Sequence, residues 1–216
     1  LHLCDRRQRQ MCIRDSLGNG LAPLEPGEAD TVIIAGMGGD LICKILKAKP
    51  EFLIEGKEFI LQPQSEWFKI RRLLKEYRYQ IEKEWFLKED GKYYVIIKAE
   101  PAWTQPQRLK HQQPSIHEYI KEISDTQVNQ AVSEKDMESI YEQYGKYLIE
   151  TKNPVLKEYL EKEITKKESI AAELKQSIKE IESEELSGKE RGNIAKRQRR
   201  YQEIQKEIRD MRKAIG

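Results

Sequence analysis

The sequence predicts an α/β fold followed by an antiparallel coiled-coil pair of long helices, and three observations support this architecture. The segment Asp30–Gly39 (DTVIIAGMGG) joins an apolar, β-branched run to a cluster of glycines. Two further runs of strand-forming residues flank Asp90 and Gly91, a dipeptide typical of hairpin turns. After Pro154, apolar residues recur at alternating spacings of three and four, which indicates helices that pack along a seam.

The composition favours a protein with a modest core and an elongated helical part. The chain has 216 residues, of which 38% are hydrophobic and 35% charged, and its net charge is +2. No apolar run approaches the roughly 20 residues of a transmembrane helix, and the three cysteines show neither metal-ligand nor disulfide spacing. We therefore expect a cytoplasmic monomer without membrane or metal partners, in which any nucleic-acid binding depends on local clusters of basic residues.

Residues 1–16 (LHLCDRRQRQMCIRDS) differ in texture from the rest of the chain. No helical or strand period fits them, and they resemble translated sequencing adapter, so we interpret them as a non-native tract and set them aside. The alternative is a basic leader whose arginines contact RNA, namely Arg6, Arg7, Arg9 and Arg14.

Residues 17–100 are predicted to form the α/β part. Leu17–Ala29 is a loop rich in Gly and Pro, Thr31–Ala35 suits a strand buried on both faces of a parallel sheet, and Asp40–Lys47 suits a helix. Lys57–Pro63 predicts a second buried strand, and a further amphipathic helix starts at Ser65. Ligands of open α/β sheets bind beyond the carboxyl ends of such strands, where glycine lets them approach the backbone.

The glycines in this part of the chain admit two interpretations. Gly36, Gly38 and Gly39 either line a ligand site or only make a tight strand-to-helix turn. Asn19 and Gly20 are likewise either ordinary turn residues or part of a cofactor site beside Gly36. The spacing alone leaves both alternatives open.

The order of elements and several motifs carry a resemblance to a known family. Two strands with helices, followed by the hairpin of Tyr79–Lys88 and Lys92–Ala99, resemble the closing half of a class I (Rossmann-like) methyltransferase sheet. Within that frame the stretches LGNGL, DTVIIAGMGGDLI, FILQPQ, KEDGKYY and YGKYLIETKNPVLKEYL resemble the TrmK family of bacterial tRNA (adenine(22)-N(1))-methyltransferases. The resemblance extends from Leu17 to about Gly216.

This resemblance implies S-adenosylmethionine as cofactor, tRNA as partner and transfer of a methyl group to N1 of an adenine. The cofactor-binding residues that it implies are Asn19, Gly20, Ala35, Gly36 and Met37. The catalytic residues that it implies are Gly36, Met37, Gly38, Gln62 and Gln64.

The chain also departs from the family pattern. The family's earlier glycine-rich loop and the acidic residue on its next strand have no counterpart here, so we expect an N-terminally truncated copy that is inactive as a fragment. Gln64 stands where the family has Asn, and Val95 stands where it has an acidic residue, so no catalytic role is expected at Val95.

Methylation at adenine N1 does not require a strong general base among the residues of the site. The nitrogen carries an in-plane lone pair, so catalysis depends on positioning and on exclusion of water rather than on a strong base. A base flipped out of tRNA also needs a stacking platform. Met37 and Trp67 are candidates, although Trp67 suits helix packing equally well.

Residues 101–152 are predicted to form a linker and short helices. Pro101–Pro114 is rich in Pro and Gln, and Ser115 with Glu118 makes a capping box ahead of an apolar helix face. Ser133 opens a second helix with apolar residues on one side: Met137, Ile140, Tyr141, Tyr144 and Leu148. The tyrosines suit core packing better than stacking on RNA bases.

Residues 153–216 are predicted to form the coiled-coil hairpin. Asn153 and Pro154 are an N-cap and first-turn signal. The predicted seam residues are Leu160, Ile164, Lys167, Ala171, Leu174, Ile178 and Ile181 on the first helix and Ile194, Arg197, Tyr201, Ile204, Ile208, Met211 and Ile215 on the second. Ser183–Gly192, which holds two glycines, is predicted to separate the helices.

The second of these helices carries a basic cluster. Residues 189–216 contain ten Lys and Arg against four Asp and Glu. Lys196, Arg197, Arg199 and Arg200 are therefore candidate contacts to tRNA phosphates, and a solvated charged face is the alternative. The competing hypothesis for the whole chain is a non-catalytic RNA-binding or protein-interaction coiled-coil protein.

Overall fold

The computed structural model describes residues 15–25, 27–104, 132–182 and 188–216. Its centre is a four-stranded sheet of β1 (Thr31–Met37), β2 (Glu58–Pro63), β3 (Tyr79–Glu89) and β4 (Lys92–Pro101). The strand order is β1-β2-β4-β3. β1 and β2 are parallel, and the pairs β2–β4 and β3–β4 are antiparallel.

The first two strands alternate between a buried and an open face. On β1 the side chains of Val32 and Ile34 are buried, whereas Ile33 between them is 67% exposed. On β2 Phe59 and Leu61 are fully buried and Ile60 is half-buried. The prediction that Thr31–Ala35 is buried on both faces was therefore wrong, because only one face of β1 is covered within the described residues.

The predicted hairpin is confirmed. Asp90 and Gly91 form a two-residue turn in which both residues have positive φ, 48° and 76°, and Glu89 pairs with Lys92. Positive φ at both positions is the geometry that favours Asp-Gly between twisted strands. β4 continues to Pro101, so the predicted linker begins later than expected, after the short 3₁₀ turn Ala102–Thr104.

Three helices accompany the sheet: α1 (Gly39–Ala48), α2 (Pro50–Ile54) and α3 (Trp67–Glu76). The apolar face of α1 places Ile42 and Leu46 in the core with no exposure. The third helix begins at Trp67 rather than at Ser65 as predicted, because Glu66 adopts a left-handed conformation with φ 53°. α2 was not predicted, although its Pro50 at the first position is a helix-start signal.

The helix predicted from Ser133 is two helices, α4 (Val132–Tyr144) and α5 (Lys146–Glu150). Gly145 between them has φ 92° and ψ 115°, which ends the first helix. Ile140 and Leu148 are buried as predicted. The residues of this unit therefore face the core, but from two separate helices.

Two long helices complete the described chain, α6 (Pro154–Glu182) and α7 (Gly188–Ile215). Asn153 caps α6 as predicted, since its Oδ1 accepts hydrogen bonds from the N–H groups of Val155 and Leu156, each at 3.0 Å. The buried residues at predicted seam positions are Leu160, Ile164, Ala171, Ile178, Ile194, Ile204, Ile208 and Met211.

The predicted break between the long helices was too long. α7 already begins at Gly188, so residues 188–192 are helical despite their two glycines. Glycine costs a helix interior only about 1 kcal/mol relative to alanine, which packing against a neighbouring helix can offset.

Some predictions fall outside the described residues: the tract at residues 1–14, most of the linker, the capping box at Ser115 and the turn at residues 183–187. Within the described ranges, no helix has the length and apolar character needed to cross a membrane. The same ranges contain no group of His, Cys, Asp or Glu arranged to hold a metal ion.

Candidate functional site

The candidate site lies where β1 and β2 end, around a bulge at Gly36. The pairing of β1 with β2 shifts register between Ala35 and Met37, and Gly36 takes φ 78°. That backbone conformation favours glycine. A Cβ built on Gly36 would meet no described atom within 4 Å, so the bulge faces open space.

The side chain of Gln62 holds this bulge from the neighbouring strand. Gly36 N–H donates to Gln62 Oε1 at 2.8 Å. Because a backbone N–H can only donate, this contact fixes which end of the amide carries the oxygen. Gln62 Nε2 is then left buried and without a hydrogen-bond partner among the described residues. A buried donor of this kind is costly to leave unsatisfied.

The two loops that follow the strands are joined backbone to backbone. Gln64 N–H donates to Met37 O at 2.8 Å, and Gly39 N–H donates to Ser65 O at 3.0 Å. A Cβ on Gly39 would lie 2.7 Å from the carbonyl oxygens of both Ser65 and Glu66. Gly39 is therefore required by close approach of the second loop.

A charged network supports the same junction from the helix side. Asp40 N–H donates to Glu66 Oε2 at 3.2 Å, and Lys69 Nζ donates to Asp40 Oδ1 at 3.0 Å and to Glu66 Oε1 at 2.5 Å. Hydrogen bonds from Lys44 and Lys69 lower the pKa of the Asp40 carboxyl. The first N–H groups of α1 are thus already engaged, which disfavours phosphate binding at this helix N-terminus.

Comparison with known proteins places this geometry in a family. The family described as "TrmK: tRNA (adenine(22)-N(1))-methyltransferase" matches residues 4–143, which is more than half of the chain. The chain belongs to the TrmK family. Its α/β part, including the Gly36–Gln62 contact, and all but the last residue of α4 lie within the residues that match.

A curated TrmK-family relative supports the same assignment. The tRNA (adenine(22)-N(1))-methyltransferase of Bacillus subtilis (strain 168) is 35% identical over an alignment of 144 residues. The aligned region covers 52% of this chain and 59% of the relative, so the chain spans about three fifths of that protein's length.

Solved TrmK structures share the fold. The crystal structure of the B. subtilis M1A22 tRNA methyltransferase TrmK matches with a TM-score of 0.57 and 25% identity, covering 92% of this chain and 68% of that one. Streptococcus pneumoniae Sp1610 in complex with S-adenosyl-L-methionine matches with a TM-score of 0.54 and 22% identity, covering 93% and 67% respectively. The second likeness concerns the fold alone. Together these matches show that the chain shares the fold of these methyltransferase structures.

In this TrmK-family chain, most residues predicted for the site lie together. Ala35, Gly36, Met37, Gly38, Gln62 and Gln64 all belong to the two strand ends or the loops that follow them. Met37 is 37% exposed and Gln64 is exposed. Ser65, Glu66 and Lys69 were missed as supporting residues, because nothing in their spacing signals a contact with α1.

Asn19 and Gly20 have local roles of a different kind. Asn19 O accepts a hydrogen bond from Ala22 N–H at 3.2 Å, which closes a turn. Gly20 has φ 59°, and a Cβ there would lie 2.8 Å from Ile45 Cγ2 in the second turn of α1. These contacts support the turn interpretation, and cofactor binding by Asn19 and Gly20 stays a prediction.

Trp67 packs within the protein. Its ring meets Phe86 edge-on at 5.4 Å and Tyr159 at 5.7 Å, and Tyr159 also contacts Tyr93 at 5.0 Å. These four rings form an aromatic cluster between α3, the hairpin and α6. Of the two roles considered for Trp67, helix packing is the one that its contacts support.

The predicted basic cluster on α7 divides into two parts. Lys196 and Arg199 are exposed. Arg197 is half-buried and donates to Ser177 Oγ on α6, while Arg200 pairs with Glu203 at 3.1 Å and Glu207 at 3.5 Å. The four residues therefore do not present one basic surface, because Arg197 lies on the side of α7 that faces α6.

Exposed basic residues continue along α7 beyond the predicted cluster. Arg199, Lys206 and Arg209 are exposed, and spacings of seven and three place them on one side of the helix. We call these three residues the outer basic row. The spacing of seven between Arg199 and Lys206 can be read from the sequence. Whether these residues face the solvent depends on which side of α7 packs against α6.

Proposed function

We propose that this chain takes part in the methylation of tRNA at N1 of adenine 22, with S-adenosylmethionine as methyl donor. The observation that carries the proposal is the Gly36–Gln62 contact at the carboxyl edge of the sheet in a chain of the TrmK family. The bulge offers open space beside a glycine, and the buried Gln62 Nε2 offers an unused donor.

The residues at the strand ends suit a reaction that needs positioning. S-adenosylmethionine supplies an electrophilic methyl group when it is bound. Ala35, Gly36 and Met37 would hold the cofactor from the β1 side, with Asn19 and Gly20 as further candidates. Gly36, Met37, Gly38, Gln62 and Gln64 would orient the adenine so that its N1 lone pair faces the methyl group. Adenine N1 needs no deprotonation, so no strong general base is required from this set.

The backbone contacts between the two loops support preorganisation of this site. Three hydrogen bonds, from Gly36, Gly39 and Gln64, tie the loop after β1 to the end of β2 and its following loop. A site held in this way changes shape little when substrate arrives, so binding energy is available for alignment. Gln62 acts here by accepting from the Gly36 amide through Oε1, and its Nε2 group remains as a donor for a polar ligand atom.

We further propose that α6 and α7 form an antiparallel coiled-coil arm at residues 153–216 that contacts tRNA. The proposed domains are then the partial cofactor domain at 17–100, the connecting segment at 101–152 and this arm. Lys167 pairs with Glu207 and Ser177 with Arg197, so a step forward along α6 corresponds to a step backward along α7. The residues that would contact tRNA phosphates are Lys196, Arg199, Lys206 and Arg209. Arg197 and Arg200 would mainly make contacts to other residues of the protein.

The test is a methylation assay on the full product of the gene. Purified protein is incubated with S-adenosylmethionine and a tRNA transcript that carries adenine at position 22, and N1-methyladenosine is measured by mass spectrometry of nuclease digests. The matched control is the same transcript with guanine at position 22. We expect product only with adenine. Tight tRNA binding without product would favour the competing non-catalytic hypothesis.

A further inference from the structure

A buried ion pair outside the candidate site joins α3 to the hairpin. Arg71 on α3 and Glu84 on β3 have side chains that are only 2% and 0% exposed, and Arg71 Nε donates to Glu84 Oε1 at 2.7 Å. Replacing such a pair with apolar residues is often neutral or stabilising. Stability alone therefore does not account for two charges at this position.

The same guanidinium also binds the end of α4. Arg71 Nη1 donates to the carbonyl oxygens of Glu142 at 3.1 Å and Gln143 at 2.9 Å, which belong to the last turn of that helix. Carbonyls at a helix C-terminus lack partners within the helix. One side chain thus connects three elements and fixes the position at which α4 ends.

Gly145 shows how closely the chain passes over this ion pair. A Cβ at Gly145 would overlap Glu84 Oε2 and would lie 2.9 Å from Arg71 Nη2. With φ 92°, the residue also takes a conformation that other residues rarely adopt. The joint formed by Arg71, Glu84 and Gly145 is therefore a close steric fit, in which Arg71 Nη2 and Glu84 Oε2 are buried without a hydrogen-bond partner among the described residues.

Three further contacts attach the long helices to the rest of the protein. On α6, Tyr159 enters the aromatic cluster, and Glu158 accepts from Lys88 at 2.6 Å on the hairpin. At the end of α7, Lys213 lies 3.8 Å from Asp136 on α4. The root of the helix pair is thus attached through α4 and α6, whereas the beginning of α7 lies at the far end.

We propose that the Arg71–Glu84–Gly145 joint fixes the angle of the long helices to the Gly36–Gln62 site and so determines which tRNA nucleotide is methylated. This inference rests on the proposed function. α7 has 28 residues and is about 42 Å long at 1.5 Å per residue, so a rotation of about 10° at its root moves the tip by about 7 Å. That displacement exceeds the roughly 3.4 Å rise per nucleotide of a duplex strand. Arg71 and Glu84 are then positioning residues that act through the arm.

The test compares positional selectivity in three variants of the full gene product. Substrates are tRNA transcripts with a single adenine at position 21, 22 or 23. The double variant Arg71→Met with Glu84→Leu removes both charges. Arg71→Lys keeps the positive charge but removes the several N–H donors of the guanidinium group. The matched control, Arg72→Met, removes an exposed bond to the Glu142 side chain from the same helix turn.

We expect the wild-type protein and Arg72→Met to methylate position 22 selectively. In the double variant the rate at position 22 should fall by about 10-fold, the relative rate at positions 21 and 23 should rise several-fold, and cofactor affinity should stay within 2-fold. Unchanged positional selectivity in the double variant would overturn the inference. Absence of methylation in the wild-type protein would instead refute the proposed function.

A distance measurement tests the joint without activity. Spin labels are placed at Lys92→Cys on the hairpin and Ala195→Cys on α7, both exposed positions, with the native cysteines replaced by serine. We expect a narrow distance distribution in the parent protein and in Arg72→Met, and a broader one in Arg71→Lys and in the double variant. An equally narrow distribution in all four proteins would show that the joint does not hold the arm.

Discussion

Gln62 is the residue on which the geometry of the candidate site depends most directly, because its oxygen accepts from Gly36 N–H. Gln62→Ala leaves that N–H without its partner, but Gly36 is exposed, so water can replace the lost acceptor and the net cost is about 0.5–1.5 kcal/mol. We expect kcat for tRNA methylation to fall about 10- to 100-fold with little change in the thermal midpoint. Gln62→Glu keeps an acceptor but removes the Nε2 donor. Full activity in Gln62→Glu would show that the unused donor has no role.

Two glycines of the site constrain the backbone for different reasons, which gives a second residue-scale prediction. Gly39→Ala brings a Cβ within 2.7 Å of two backbone oxygens, so we expect a loss of about 1–3 kcal/mol in the free energy of unfolding. Gly36→Ala meets open space but must hold φ 78°, which costs about 1–2 kcal/mol. Urea denaturation measures both. A larger loss in Gly36→Ala than in Gly39→Ala would contradict the steric argument.

The position of the candidate site could be predicted from the sequence, but the contacts that support it could not. Glycines after a β-branched run and a polar ending on the next strand predicted that Gly36 and Gln62 lie at one edge. That inference holds because parallel strands carry their carboxyl ends to the same side. The network of Asp40, Glu66 and Lys69 joins residues 26 to 29 positions apart, and such pairings depend on how α1 and α3 pack.

At the scale of elements, features that a residue determines through its own backbone or side chain could be predicted from the sequence. Features that depend on neighbouring elements could not. Asp90 and Gly91 specify their turn through their own backbone preferences, and Asn153 caps α6 through its own side chain. The exposure of Ile33 depends on which face of the sheet is covered, and the helix break at Gly145 lies where the chain passes closely over Glu84 and Arg71. A short apolar run looks the same in sequence whether one face of its strand is covered or both.

The attachment of α6 to the hairpin predicts a shifted titration. Hydrogen bonds from Lys162 and Lys88 lower the pKa of the Glu158 carboxyl to about 2. A depressed pKa stabilises the folded state above the unfolded value of 4.5, and this contribution is lost as pH falls toward 2. Carboxyl NMR should show Glu158 still ionised at pH 3.5. In the variant with Lys88→Met and Lys162→Met, its pKa should return toward 4.5, and an unchanged value would refute the assignment.

The outer basic row of α7 predicts a salt-dependent effect on tRNA binding. Charge reversal of Arg199, Lys206 and Arg209 to Glu should weaken binding and reduce the slope of log affinity against log salt by up to about 3. The matched control reverses Lys166, Lys175 and Lys179, exposed positions on α6, with the same change in net charge. Filter binding at several salt concentrations measures both. Equal losses in the two triple variants would indicate a general charge effect instead of a specific row.

At the scale of the whole molecule, the α/β part and the long helices share one hydrophobic core. Residues of α6 and α7, including Leu160 and Ile208, belong to the same buried cluster as Phe86 on the sheet. Trp67 and Trp85 lie in the α/β part and Trp103 in the 3₁₀ turn directly after β4, whereas α6 and α7 contribute most of the helix in the described residues. Fluorescence and circular dichroism therefore report on different parts of the same chain.

This distribution of probes makes the shared core testable. If the core is continuous, urea unfolding followed by tryptophan fluorescence and by circular dichroism at 222 nm should give coincident midpoints, as expected for a cooperative transition. Tyr159→Ala removes the ring that α6 places among Trp67, Phe86 and Tyr93. Because Tyr159 is only half-buried, the cost should lie below the about 3–5 kcal/mol of a fully buried aromatic residue. We expect this variant to separate the two midpoints, with the helices unfolding first. Separate midpoints already in the parent protein would mean that the long helices fold independently of the sheet, and a rigid link between arm and site would then have to depend on the polar joint alone.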